Sequence, residues 1–89
     1  MKAGERIAWN IRRLRNARQV SQEAFAVDAG IDRTYVSRLE RGMENPTVLV
    51  LEQIANAFGV TIETLFIEPT AGDPIHARLK SGRKKRRVP

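Results

Sequence analysis

The sequence contains no cysteine and a single histidine among its 89 residues. Without thiols there is no disulfide scaffold and no thiolate metal site, and such a composition suits a reducing cytoplasm. The lone imidazole, His76, stands in a stretch rich in Pro, Gly and Asp. With no second histidine to share an ion, no metal and no cofactor are expected. Long apolar runs are missing too. The longest, Val48-Leu49-Val50-Leu51, is far short of the roughly 20 residues that a membrane helix needs. The opening Met1-Lys2-Ala3-Gly4-Glu5-Arg6 has no apolar segment of a secretory signal. Strand-type alternation is nearly absent, and no glycine-rich phosphate loop follows a strand pattern. The acids fall mostly on solvent faces or helix caps, not in the convergent pairs of acid–base chemistry. An enzyme is not expected.

What is present fits a small globule. The length suits one domain with a tail, and 42% apolar with 29% charged residues is ordinary for a soluble fold. The net charge of +6 is unevenly spread. Residues 1–41 carry nine Lys or Arg against five acids, residues 42–77 carry five acids and no base, and residues 78–89 carry seven bases and no acid. A basic half beside an acidic half makes a dipolar molecule with one end suited to a polyanion.

Hydrophobic spacing predicts five short helices around one core. Residues 4–18 place Ile7, Ile11 and Leu14 at i, i+4, i+7, with Arg6, Asn10, Arg13 and Asn16 elsewhere on the wheel. Trp9 falls opposite that stripe, which leaves two readings: an exposed contact surface, or packing against the tail or the N-terminus. Ser21 is a good N-cap for a second helix over 22–29, which Gly30 ends. Asp32 caps a third over 33–41, with Val36 and Leu39 inward and Gly42 beyond. Thr47 caps a fourth over 48–58 that buries Val48, Leu51, Ile54, Ala55 and Phe58. After Gly59, Thr61 caps a short fifth helix whose Leu65 and Phe66 close the core. From Glu68 onward Pro, Gly and Asp dissolve the pattern into linker and tail. The expected division is a domain over 4–67 and a linker with a basic tail over 68–89.

The informative stretch is Gln22 to Arg41. Two helices joined by a three- to four-residue turn cross steeply, so the first must be small where the second approaches. Ala26 supplies that small residue, Gly30 the turn, and Ile31, Val36 and Leu39 fill the angle. This is a helix-turn-helix layout, which offers its second helix to the DNA major groove. On that helix Arg33, Thr34, Ser37, Arg38 and Arg41 form one polar face. Arginine is the side chain best able to read guanine, bidentate to O6 and N7. Tyr35, at the edge, is placed for a phosphate or a thymine methyl. Gln22, first in its helix, can hold a phosphate with its N–H and its amide. Glu40 falls on the inner side of the third helix, where a carboxylate needs a partner, and Arg15 on the first helix is the candidate.

Residues 4–67 resemble the phage-repressor/Cro-type helix-turn-helix family. The most specific pieces are Ser21-Gln22-Glu23, Ser37-Arg38-Leu39-Glu40-Arg41-Gly42 and Asn45-Pro46-Thr47. The resemblance implies an all-α five-helix fold that binds inverted-repeat operators as a homodimer and controls transcription, mostly by repression. It also implies base contacts from Arg33, Thr34 and Arg38, backbone contacts from Gln22, Arg41 and Asn45, and a structural Arg15–Glu40 pair.

Two features depart from the family pattern. Leu49 and Val50 stand where polar residues are usual. They would either extend a dimer face with Ile62 and Phe66 or cover the 62–67 segment within one chain. The run Arg83-Lys84-Lys85-Arg86-Arg87 will not fold alone, and is read as a flexible arm adding phosphate contacts. No effector domain for a small molecule is expected. The competing reading is a protein-interaction module, such as an antitoxin or a regulator's partner.

Overall fold

A computed structural model describes residues 1–69. They form four α-helices and one 3₁₀ helix: α1 (Ala3–Ala17), α2 (Gln22–Ala29), α3 (Arg33–Glu40), α4 (Val48–Phe58) and the 3₁₀ segment Ile62–Phe66. The described residues contain no strand.

Three of the four α-helices start where the N-cap side chain takes up an orphan N–H group. The Ser21 hydroxyl accepts from Ala24 N, the Asp32 carboxylate from Thr34 N, and the Thr47 hydroxyl from Val50 N. At the head of α1 the Glu5 carboxylate instead accepts from the Lys2 backbone N–H. The ends of α2 and α4 need a left-handed residue, and Gly30 and Gly59 take φ of 72° and 71° there. Between α1 and α2 a non-glycine does the same work: Gln19 has φ 56°.

The core forms where the helices converge. Ile11, Val36, Ile54 and Leu65 come from four different elements and are fully buried. Phe25 of α2 stacks on Phe58 of α4 at 4.5 Å between ring centroids. Ala26 is buried at the α2–α3 crossing, as the steep angle requires. Arg18 ties the end of α1 to the end of α4, donating from Nη2 to the Phe58 carbonyl at 2.7 Å.

Three sequence expectations need correction, and one open alternative is decided. The fifth helix is a 3₁₀ turn, and the Thr61 hydroxyl lies against that of Thr64 instead of capping a backbone N–H. Val48 is 69% exposed, because it sits in the first turn of α4, ahead of the part that reaches the core. Asn10 is fully buried, although the wheel placed it off the core. Its Nδ2 donates to the carbonyls of Arg6, Leu65 and Ile67 at 2.9, 2.9 and 2.8 Å, stapling the 3₁₀ segment to α1. Trp9 is buried as well, beneath the Arg13 guanidinium and beside the N-terminal Met1, in keeping with packing against the N-terminus and not with an exposed contact surface. The burial of both has one cause: α1 is covered on two sides, by α3 and by the 3₁₀ segment, whereas a wheel assumes one buried face.

Candidate nucleic-acid interface

α3 lies at the surface with Val36, Leu39 and Glu40 turned inward. Positions 33, 34, 37 and 38, with 41 at the C-cap, follow helical spacing along one outer stripe, and Tyr35 stands at its edge. Arg33 and Thr34 are exposed in its first turn, Ser37 and Arg38 are half-buried, and Arg41 is exposed at the C-cap. Three of the five carry a positive charge, and none carries a negative one. Asn45, also exposed, follows in the loop to α4.

Behind this stripe sits a buried ionic cluster centred on Glu40, which is only 4% exposed. Arg15 grips it in a fork, with Nε 2.6 Å from Oε2 and Nη2 2.9 Å from Oε1. The third arm of the same guanidinium donates to the Val20 carbonyl at 2.9 Å. Arg12 donates to the Glu40 backbone carbonyl. The Gln22 amide donates to Oε1 at 3.1 Å. Sequence spacing did not reveal this contact of the amide with Glu40. One carboxylate therefore collects α1, α2 and α3, and fixes the angle at which α3 is presented.

A second ion pair touches the stripe itself. Arg38 Nε lies 2.5 Å from Glu44 Oε2, and Nη2 points to the Met43 carbonyl at 3.4 Å. Neighbouring Tyr35 is half-buried. Burial and the negative charge of Glu44 together push its phenol above the ordinary range, so it stays a neutral hydrogen-bond donor near neutral pH. Nothing in the spacing revealed Glu44, because its position depends on the path of an aperiodic loop.

The proposed assembly residues divide. Leu49 is 66% exposed, and Val48 and Ile67 are exposed as well. Val50, Ile62 and Phe66 pack partly against the core. The basic run Arg83, Lys84, Lys85, Arg86 and Arg87 lies outside the described residues. Among the described residues no group of three or more His, Cys, Asp or Glu side chains could hold a metal. No helix there is long and apolar enough to cross a membrane.

A family profile described as helix-turn-helix matches residues 11–65. The chain belongs to that family, of the phage-repressor/Cro type, and carries the DNA-binding fold of its transcriptional regulators. It is 39% identical over 72 residues to the uncharacterized HTH-type transcriptional regulator y4dJ of Sinorhizobium fredii, covering 81% of this chain and 92% of that one. It is 37% identical over 62 residues to the control protein C.MunI of a Mycoplasma species, covering 68% and 84%. In structure it is similar to the restriction-modification controller protein C.AhdI of Aeromonas hydrophila, with a TM-score of 0.68, 33% identity and coverage of 71% and 96%.

Proposed function

We propose that the chain is a sequence-specific, double-stranded-DNA-binding regulator, active in the cytoplasm as a homodimer on an inverted-repeat operator, with repression as the main outcome. The observation that carries this reading is the acid-free outer stripe of α3, held at a fixed angle by the Glu40 cluster. In it Arg33, Thr34, Ser37 and Arg38 read base edges, while Gln22, through its backbone N–H, Tyr35, Arg41 and Asn45 meet phosphates. Residues 4–67 are the reading unit, and the basic run at 83–87 adds charge without sequence information. The likeness to control and controller proteins supports a regulatory role.

Selection of bound sites from a random DNA pool tests this directly. Recovery of a two-fold-related consensus, bound far tighter than scrambled DNA at the same salt, is the expected result. Arg38→Ala should cost about 1–3 kcal/mol on that site and relax preference at one position per half-site. Equal affinity for selected and scrambled DNA in the unaltered chain would refute the reading. A partner captured in place of DNA would then favour the protein-interaction alternative.

The dimer has its own test. Val48 and Leu49 on α4 and Ile67 after the 3₁₀ segment are exposed aliphatics, and Ile62 and Phe66 are only partly buried. A charge there would be buried without a partner in a two-fold contact. Leu49→Glu is expected to move the protein towards monomer in sedimentation. Operator affinity should fall with it, since half-sites about 34 Å apart are no longer held jointly. A dimer that survives this substitution unchanged would place its interface elsewhere.

A further inference from the structure

Arg38 meets the DNA-facing side of α3 already bound to a carboxylate. Glu44 is half-buried, with its side chain 25% exposed against 42% for Arg38, and it contacts the guanidinium through Nε. That leaves the far edge of the guanidinium. An arginine that reads guanine end-on uses its two Nη nitrogens. Here Nη2 makes only a long contact to the Met43 carbonyl. The carboxylate thus occupies the one nitrogen that such a base contact does not need.

The position of the charge matters as much as the geometry. The other acids of this region are engaged by backbone or buried: the Asp32 carboxylate accepts from the Thr34 N–H at the start of α3, and Glu40 is buried. Glu44 is the acid that pairs with a side chain of the reading stripe. Any duplex brings phosphates towards it, at an electrostatic cost that does not depend on sequence. A duplex that offers guanine acceptors to the Arg38 fork offsets that cost. One that does not leaves it uncompensated, so the charge weakens every duplex alike while the difference between duplexes rests on how Arg38 is held.

We propose that Glu44 is a specificity-determining residue, which positions Arg38 by its Nε edge so that both Nη nitrogens face the groove, while its charge lowers affinity for every duplex alike. This rests on the reading of Arg38 as a base contact. Glu44 is a positioning residue and makes no base contact itself. Holding the guanidinium in advance also reduces the side-chain freedom lost on binding, so the benefit falls on the matched site.

The experiment compares Glu44→Gln, Glu44→Asp, Arg38→Ala and the Arg38→Ala/Glu44→Gln double variant in the full chain. Each is titrated with the selected duplex and with a scrambled one across a range of salt. Glu44→Gln is nearly isosteric but uncharged, and a part-exposed pair contributes little to stability, so the variants should melt close to the parent. We expect Glu44→Gln to tighten scrambled DNA and leave the selected duplex unchanged or weaker, narrowing their ratio roughly three- to tenfold. Glu44→Asp should restore most of the ratio. In the Arg38→Ala background, Glu44→Gln should shift both duplexes by the same factor, leaving only the charge effect. An independent readout needs no DNA. Tyr35 is the sole tyrosine, and its absorbance titration should move to lower pH in Glu44→Gln if the loop holds Glu44 beside it in solution. An equal shift on both duplexes with Arg38 present would overturn the inference while leaving Arg38 as a reader. A widened ratio would do so too, by making Glu44 a competitor of the base. If Arg38→Ala itself left the ratio unchanged, the Arg38 reading would fail first and Glu44 with it.

Discussion

Arg15→Ala should lower the stability of the folded chain by about 3–5 kcal/mol, because it strands a carboxylate that has almost no access to water. Glu40 accepts both Nε and Nη2 of Arg15 and keeps only the Gln22 amide when they are gone. The Val20 carbonyl, in the turn before α2, loses its donor in the same step. The loss is the cost of an uncompensated buried charge and does not measure what the pair contributes. Replacing both residues with apolar ones of similar volume, Arg15→Met with Glu40→Leu, should therefore recover most of it. Urea denaturation of the two variants and the parent provides the comparison. A neutral Arg15→Ala would show that Glu40 is not held in the folded chain as described.

Asn10→Ala should cost about 2–3 kcal/mol, the second-largest effect expected from a single exchange. The side chain spreads two N–H protons over three carbonyls, those of Arg6, Leu65 and Ile67, while its oxygen accepts from Arg13 Nη2 at 3.1 Å. Alanine leaves the Leu65 carbonyl buried without its donor and frees the 3₁₀ segment from α1. Asn10→Asp should be worse, since it sets a carboxylate against carbonyl oxygens. Amide exchange should quicken at residues 62–67 well before the rest of the chain, because a local tie has been cut. If Ile62 and Phe66 belong to the dimer face, association should weaken in parallel. Uniform exchange across the chain with an unchanged melting temperature would remove Asn10 from this role.

Much of the fold could be read from spacing and caps. Ser21, Asp32 and Thr47 cap the helices they precede, and Ile7, Ile11, Leu14, Val36, Leu39, Leu51 and Ile54 all face inward. The misreadings cluster where tertiary structure supplies a second neighbour. Asn10 and Trp9 sit on a helix covered twice. Asn10 looks like a surface residue unless the chain's return at 65–67 is known. Val48 fits the α4 period yet precedes its buried part. In the candidate interface, the outer stripe of α3 follows from helical geometry alone. The attachment of Gln22 to Glu40 and of Glu44 to Arg38 does not. Each joins residues whose proximity depends on a crossing angle or a loop path, and neither has a periodic signature.

The separation between the Glu40 cluster and the α3 stripe bears on how such a chain can diverge. Arg12, Arg15, Gln22 and Glu40 constrain one another, so exchanges among them must be concerted or pass through an unstable intermediate. Arg33 and Thr34 are exposed and stand outside that cluster, and their replacement should barely alter the free energy of folding. A lineage can thus explore new recognition sequences at these positions while its scaffold is held under purifying constraint a few ångströms beneath. Duplicated copies could part in target before they part in architecture.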